Sequence, residues 1–171
     1  MMMRLVRALS HTAAGIWLGG LVVLAIVAPT TFSVMRETGV DQPNAIAGQV
    51  MAKNFLRFDL VQLICGIVLL GGLLMLLAIG PRRMRDWLRI AAAGAAVLLM
   101  LCSTMVMTPQ ILNLQPLLAE PDADAAVRAA FEAFHSTAVR VSQALLLLLL
   151  LINLEMAFAP LQGTPHVGGT S

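Results

Sequence analysis

The chain has 171 residues, of which 59% are hydrophobic and only 12% are charged. A soluble domain carries about twice that share of charged residues and a smaller apolar share, so composition excludes an ordinary soluble protein. The net charge of +2 is small, and the basic residues form no long patch, so we expect no nucleic-acid partner. We therefore predict an integral membrane protein whose immediate partner is the lipid bilayer.

Four stretches that are nearly free of charge are long enough to cross a hydrocarbon core of ~30 Å. We place these spans at about residues 8–35, 57–80, 88–109 and 133–159. They predict an all-α fold, an up-and-down bundle of four transmembrane helices that forms one domain over residues 1–160. Residues 161–171 are rich in Gly and Thr, and we expect a disordered tail.

The first span contains small residues that favour close packing of helices. Gly15 and Gly19 form a small-xxx-small pair, Gly20 lies beside it, and Gly66 is the counterpart in the second span. Trp17 is too deep to be an interfacial anchor, so we assign it to packing. We expect these glycines to be helix contacts, within the bundle or with another protein.

The segment between the first two spans has an amphipathic pattern. Apolar residues recur at helical spacing from Ile46 to Phe58, and Pro43 suits a first helical turn. This pattern predicts an amphipathic helix that either lies at the outer membrane interface or leads straight into the second span.

Prolines mark the end of the third span. Pro109 is expected to kink or close that helix, and the proline-containing stretch from Gln110 to Pro121 reads as an outer connector. The last helix is expected from roughly Asp122 to Ala159, with acidic residues complementing the dipole at its start.

The arginines predict the orientation of the chain. Four of them lie in the short connection between the second and third spans: Arg82, Arg83, Arg85 and Arg89. Because Lys and Arg near helix ends favour the cytoplasmic side, we place both termini in the cytoplasm and the protein in the inner membrane.

The second and fourth spans each carry a charged residue near the predicted outer surface. Asp59 and Arg140 are at depths where an ion pair across the bundle is sterically plausible. Such a pair could be purely structural and fix helix register. Alternatively it belongs to a polar pocket that binds a solute or conducts protons, together with Glu132, Ser136 and Gln143.

A set of sulfur and imidazole side chains falls in the same outer half of the predicted bundle. Its members are Cys65, Cys102, Met105 and His135. Thiolate, thioether and imidazole are ligands that a soft ion such as Cu(I) prefers. The alternative is that cysteine and methionine are ordinary packing residues of a membrane bundle. No cofactor is required by the sequence, and copper is the one that this set would favour.

His11, near the predicted cytoplasmic end of the first span, is a candidate haem ligand. Its depth differs from that of His135 by about the ~30 Å thickness of the core, so the two cannot ligate one haem within a protomer. The sequence holds no Ser-His-Asp arrangement, phosphate loop or dinucleotide fingerprint. We therefore expect a protein that is not an enzyme.

The order of these motifs resembles the family of small four-helix membrane proteins typified by transmembrane protein 205, a domain of unknown function designated DUF4149. The residues that carry the resemblance are His11, Trp17, Gly19, Gly20, Pro29, Phe32, Gly48, Phe55, Pro109, Phe134, His135 and Ser136. The resemblance implies a four-span bundle. The opening pattern HxxxxxWxGG is also similar to that of copper-resistance D-type membrane proteins.

Three functions remain open on the sequence. The leading one is a membrane protein that handles, or confers resistance to, a small solute or soft metal ion. The second is an accessory structural subunit that docks on a larger membrane complex, or on another copy of itself, through its glycine faces. The third is a haem-binding membrane oxidoreductase.

Overall fold

A computed structural model describes residues 1–80, 84–118 and 124–158. Its helices are α1 (Met2–Glu37), α2 (Pro43–Ile79), α3 (Met84–Cys102), α4 (Thr108–Leu118) and α5 (Ala125–Ala157). A π-helical turn, Ser103–Met107, joins α3 to α4, so Met84–Leu118 is one long helical unit. The described residues thus hold four helices long and apolar enough to cross a membrane. The all-α, four-span prediction is confirmed.

The four long helices form a ring in which each packs on two neighbours. Helix α1 contacts α2 and α5, and α3 contacts the same two helices. Helix α4 lies against both α2 and α5. Consecutive helices joined by short connections run in opposite directions, which gives the up-and-down arrangement.

The core of the bundle is built around one large aromatic side chain. Trp17 is completely buried, in a cluster that also contains buried alanines of α1 and α3. Leu69 of α2 and Leu149 of α5 are also fully buried in the same cluster. Small residues around a single indole allow the helix backbones to approach closely, which is the main source of attraction between helices in lipid.

The outer surface of the bundle is apolar. Ile67, Leu98 and Leu147 each expose more than half of their side-chain area, at 64%, 69% and 59%. A water-soluble bundle would bury such residues, whereas a bundle in lipid gains nothing by hiding them. The apolar surface and the helix lengths identify an integral membrane protein that crosses the bilayer several times.

The amphipathic segment between the first two spans is not a separate helix. It is the first part of α2, which runs unbroken for 37 residues, or ~55 Å at ~1.5 Å per residue. Of the two predicted arrangements, the one that leads straight into the second span is therefore correct. Gln42 precedes it with a positive φ of 54°, and Pro43 occupies the first turn as expected.

Pro109 does not close the third helical unit, and residues 110–118 of the predicted outer connector are helical. The helix continues through Pro109 to Leu118. A proline ring crowds the carbonyl four residues before it, here that of Met105, and cannot donate to it. Met105 lies inside the π-helical turn, where hydrogen bonds reach one residue further and relieve this conflict. Residues 119–123 of the connector lie outside the described part.

The last helix begins slightly later than predicted. Asp124 is its N-cap, and its carboxylate accepts a hydrogen bond from the backbone N–H of Ala126 at 3.1 Å. Capping of this kind satisfies one of the free N–H groups of the first turn. The helix extends to Ala157, and the predicted tail at residues 161–171 lies outside the described residues.

Not all glycines face a neighbouring helix. A Cβ on Gly20 would overlap the ring of Phe58, and one on Gly66 would lie 3.2 Å from Val97 and 3.4 Å from Trp17. Gly19, one residue before Gly20, would meet no described atom within 4 Å.

These neighbours allow a matched test of close packing. We expect Gly20→Leu to destabilise the folded protein by ~1–3 kcal/mol, because the new side chain must displace Phe58. Gly19→Leu should be neutral, because its side chain enters lipid. Thermal unfolding of both variants in detergent measures the difference, and equal stability of the two would contradict the packing described here.

An interior polar cluster at Asp59

The buried indole of Trp17 has a polar partner inside the bundle. Its Nε1–H donates a hydrogen bond of 2.8 Å to the side-chain oxygen of Gln62 on α2. Both side chains are buried, at 0% and 7% exposure. Breaking this hydrogen bond would leave a buried donor and a buried acceptor unpaired, which is energetically costly in an apolar bundle. The bond therefore ties α1 to α2 at one register.

Gln62 continues the chain of hydrogen bonds to the only acidic residue of α2. Its amide nitrogen donates to Oδ1 of Asp59 at 3.0 Å, three residues earlier on the same helix. The other carboxylate oxygen, Oδ2, is buried and has no hydrogen-bond partner among the described residues. An ionisable group in this position is costly unless a proton, a cation or a donor satisfies it.

Thr104 approaches the same carboxyl from the third helical unit. Its side chain is close enough to Asp59 to interact with it. Within the described structure, however, the buried Thr104 hydroxyl has no partner in hydrogen-bond geometry. Thr104 belongs to the π-helical turn, and turns of this type are frequent at functional sites. We call Trp17, Gln62, Asp59 and Thr104 the Asp59 cluster.

Arg140 is not the partner of Asp59. The described residues contain no ion pair between the two, and Arg140 is exposed on α5. Its long side chain can reach the headgroups or water from a helix that projects beyond the hydrocarbon core. The predicted ion pair is therefore replaced by hydrogen bonding of Asp59 within α2.

The polar stripe of α5 is likewise separate from the Asp59 cluster. Glu132 and Gln143 are exposed, and the half-buried Ser136 donates to the backbone carbonyl of Ala133 at 3.1 Å. A hydroxyl that bonds to its own helix needs no partner across the bundle. A role for these residues in a pocket stays a prediction.

The sulfur and imidazole set is dispersed. Cys65 is buried in the core, whereas Cys102 and Met105 are exposed. His135 stacks on Phe131 with 5.7 Å between ring centroids. Across the described ranges, no group of three or more His, Cys, Asp or Glu side chains could hold a metal ion. A copper site stays a prediction that this geometry does not favour.

His11 is exposed on α1, and no described side chain forms a hydrogen bond with it. The haem interpretation stays a prediction without a second ligand. Gly15 and Gly19 are also exposed, and a Cβ on Gly15 would come no closer than 3.9 Å to Asn153. Docking on another membrane protein through this face stays a prediction as well.

The sequence indicated Asp59 but missed its partners. Trp17 was assigned to packing, and neither Gln62 nor Thr104 was singled out. One signal was present: Asp59 and Gln62 are three residues apart, which places them on one helix face. Thr104 could not be found in this way, because its position depends on the π-helical turn.

The hydrogen bond between the indole and the amide can be tested by its removal. We expect Gln62→Leu to destabilise the folded protein by ~1–3 kcal/mol, because it leaves the indole N–H without an acceptor and Asp59 Oδ1 without its donor. The matched control is Gln143→Leu, an exposed glutamine on α5. Thermal unfolding followed by tryptophan fluorescence measures both, and a stable Gln62→Leu protein would contradict the assigned role.

Comparison with known proteins gives the family and little beyond it. The family model described as "Domain of unknown function (DUF4149)" matches residues 12–120, a range that includes the whole Asp59 cluster. No curated protein and no solved structure matches. The matched range covers more than half of the chain, and the chain therefore belongs to the DUF4149 family.

Proposed function

We propose that this integral membrane protein handles a small cationic solute of the ammonium class, which it binds between α2 and the π-helical turn at Asp59 and Thr104. The observation that carries the proposal is the pair of buried oxygens, Asp59 Oδ2 and Thr104 Oγ1, that lack hydrogen-bond partners within the described structure. Native proteins leave few buried polar atoms unpaired, and each such atom requires an explanation.

The first step concerns the charge of the carboxylate. The ion pairs formed among the described residues are those of Arg89 with Asp86 and Glu155. No described Lys or Arg side chain therefore forms an ion pair with Asp59. An unpaired carboxylate in an apolar bundle is strongly disfavoured. A ligand that carries a positive charge removes that penalty. When the ligand is absent, protonation of the carboxylate removes it.

The second step concerns the shape and hydrogen-bonding capacity of the site. The Thr104 hydroxyl can donate its proton to the Asp59 carboxylate and still accept one N–H, and the carboxylate can accept another. The two groups together therefore match a cation with several N–H donors. Thr104 is part of the π-helical turn, and such turns are frequent at functional sites. Because both oxygens are buried, we propose a small ammonium or amidinium group as the ligand.

Donor chemistry argues for such a cation over a soft metal. Both free atoms are oxygens, whereas soft ions prefer sulfur and imidazole. Cys65, the one buried cysteine of the described residues, belongs to the core cluster and lies in no group of three or more described His, Cys, Asp or Glu side chains that could hold a metal ion. The sequence-based hypothesis named a small solute or a soft metal ion. Of these two, the geometry favours the small solute.

Placement in the inner membrane with both termini in the cytoplasm belongs to the same proposal. It rests on the arginines between the second and third spans, of which Arg85 and Arg89 are described at the start of α3. In that orientation the start of α2, which leads to Asp59, lies at the outer end of the bundle.

Calorimetric titration of the detergent-purified protein with methylammonium, guanidinium and sodium chloride tests the proposal. We expect methylammonium or guanidinium to bind at one site per chain and sodium not to bind. Asp59→Asn should abolish binding. Thr104→Val should weaken it by about 5- to 10-fold, since a single hydrogen bond contributes ~1 kcal/mol.

Asp41→Asn is the matched control, because Asp41 is exposed in the connection between α1 and α2 and should leave binding unchanged. Tryptophan fluorescence verifies that each variant retains its buried indole. Absence of binding by all three cations, or equal binding by the Asp59→Asn protein, would overturn the proposal.

A further inference from the structure

A second candidate site lies at the other end of the bundle, between α3 and α5. It is a cleft of about 240 Å³. Its walls are apolar along most of their length, and its polar residues gather at one end: Arg85, Arg89 and Glu155, with Leu88, Ala92 and Leu148 among the apolar ones. An apolar cleft with guanidinium groups at one end matches the layout of a phospholipid, which has an acyl chain and a phosphate.

The depth of the cleft supports this match. Trp87 and Leu88 are exposed beside it, at 53% and 60%. Tryptophan is enriched at the level of the lipid headgroups. Arg85 and Arg89 flank these residues in sequence, so their guanidinium groups lie where phosphates of the surrounding bilayer are present.

The two arginines at the mouth differ in their partners. Arg89 is held by Glu155, with Nη2 3.2 Å from both a carboxylate oxygen and the backbone carbonyl, and its Nη1 lies 3.5 Å from Asp86. The buried Nε–H of Arg89 has no acceptor among the described residues. Arg85 forms no ion pair with a described residue. Arg85 therefore retains an unpaired charge at the mouth of the cleft, whereas the charge of Arg89 is taken up by Glu155 and Asp86.

We propose that the cleft binds one anionic phospholipid, with its phosphodiester at the exposed Arg85 and one acyl chain along Leu88, Ala92 and Leu148. Glu155 and Asp86 hold Arg89 in place and disfavour a second anionic group. Basic pockets between transmembrane helices are suited to anionic headgroups, which are enriched in the cytoplasmic leaflet. The bound lipid joins α3 to α5 at the end of the bundle opposite the Asp59 cluster.

Native mass spectrometry tests this proposal on the full chain in detergent. The protein is mixed with equal amounts of phosphatidylglycerol and phosphatidylcholine that carry the same acyl chains. We expect one phosphatidylglycerol to be retained per chain in preference to phosphatidylcholine. Arg85→Gln should lower its retention about fivefold, since one arginine near a membrane surface changes lipid affinity by about that factor.

Two further arms separate the headgroup from the acyl chain. Ala92→Phe, which fills the cleft, should lower retention of phosphatidylglycerol, whereas Arg7→Gln, an exposed arginine of α1, should not change it. Excess inorganic phosphate should fail to displace the lipid. Equal retention of the two lipids would overturn the proposal. So would unchanged retention of phosphatidylglycerol by an Arg85→Gln protein of wild-type thermal stability, or displacement of the lipid by phosphate alone.

Discussion

The cost of an unpaired polar group in an apolar bundle governs this structure. Trp17, Gln62 and Asp59 form a chain of hydrogen bonds that crosses from α1 to α2. In lipid there is no water to replace these partners, so the chain fixes the register of the two helices. It also ends in an atom without a partner, Asp59 Oδ2, and that imbalance is the reason to place a binding function there.

Packing and polarity depend on each other around the indole. A ring as large as that of Trp17 fits at the centre because Gly66 of α2 and small residues of α1 and α3 surround it. The same close approach of the helices brings Gln62 within reach of the indole N–H. Thr104, which lies in the π-helical turn, interacts with Asp59 and so adds a third helical unit to the cluster.

The sequence predicted the number of helices, because a long apolar stretch that crosses a bilayer must satisfy its backbone hydrogen bonds internally and therefore forms a helix. It did not reveal the π-helical turn: Pro109 was expected to kink or close the third span, and the helix continues past it after that turn. It also paired Asp59 with Arg140 on charge and depth alone. Depth does not determine which face of a helix a residue occupies. Arg140 is exposed on α5 and therefore does not face Asp59.

The most direct measurement is hydrogen exchange of the two tryptophan indoles, observed by ¹⁵N–¹H NMR of the detergent-solubilised protein. The chain has only Trp17 and Trp87, and Trp87, exposed at 53%, is an internal reference. We predict slow exchange for the Trp17 Nε1–H and fast exchange for that of Trp87. Equally fast exchange of both would mean that the indole is not held by Gln62, and the interior polar cluster would lose its foundation.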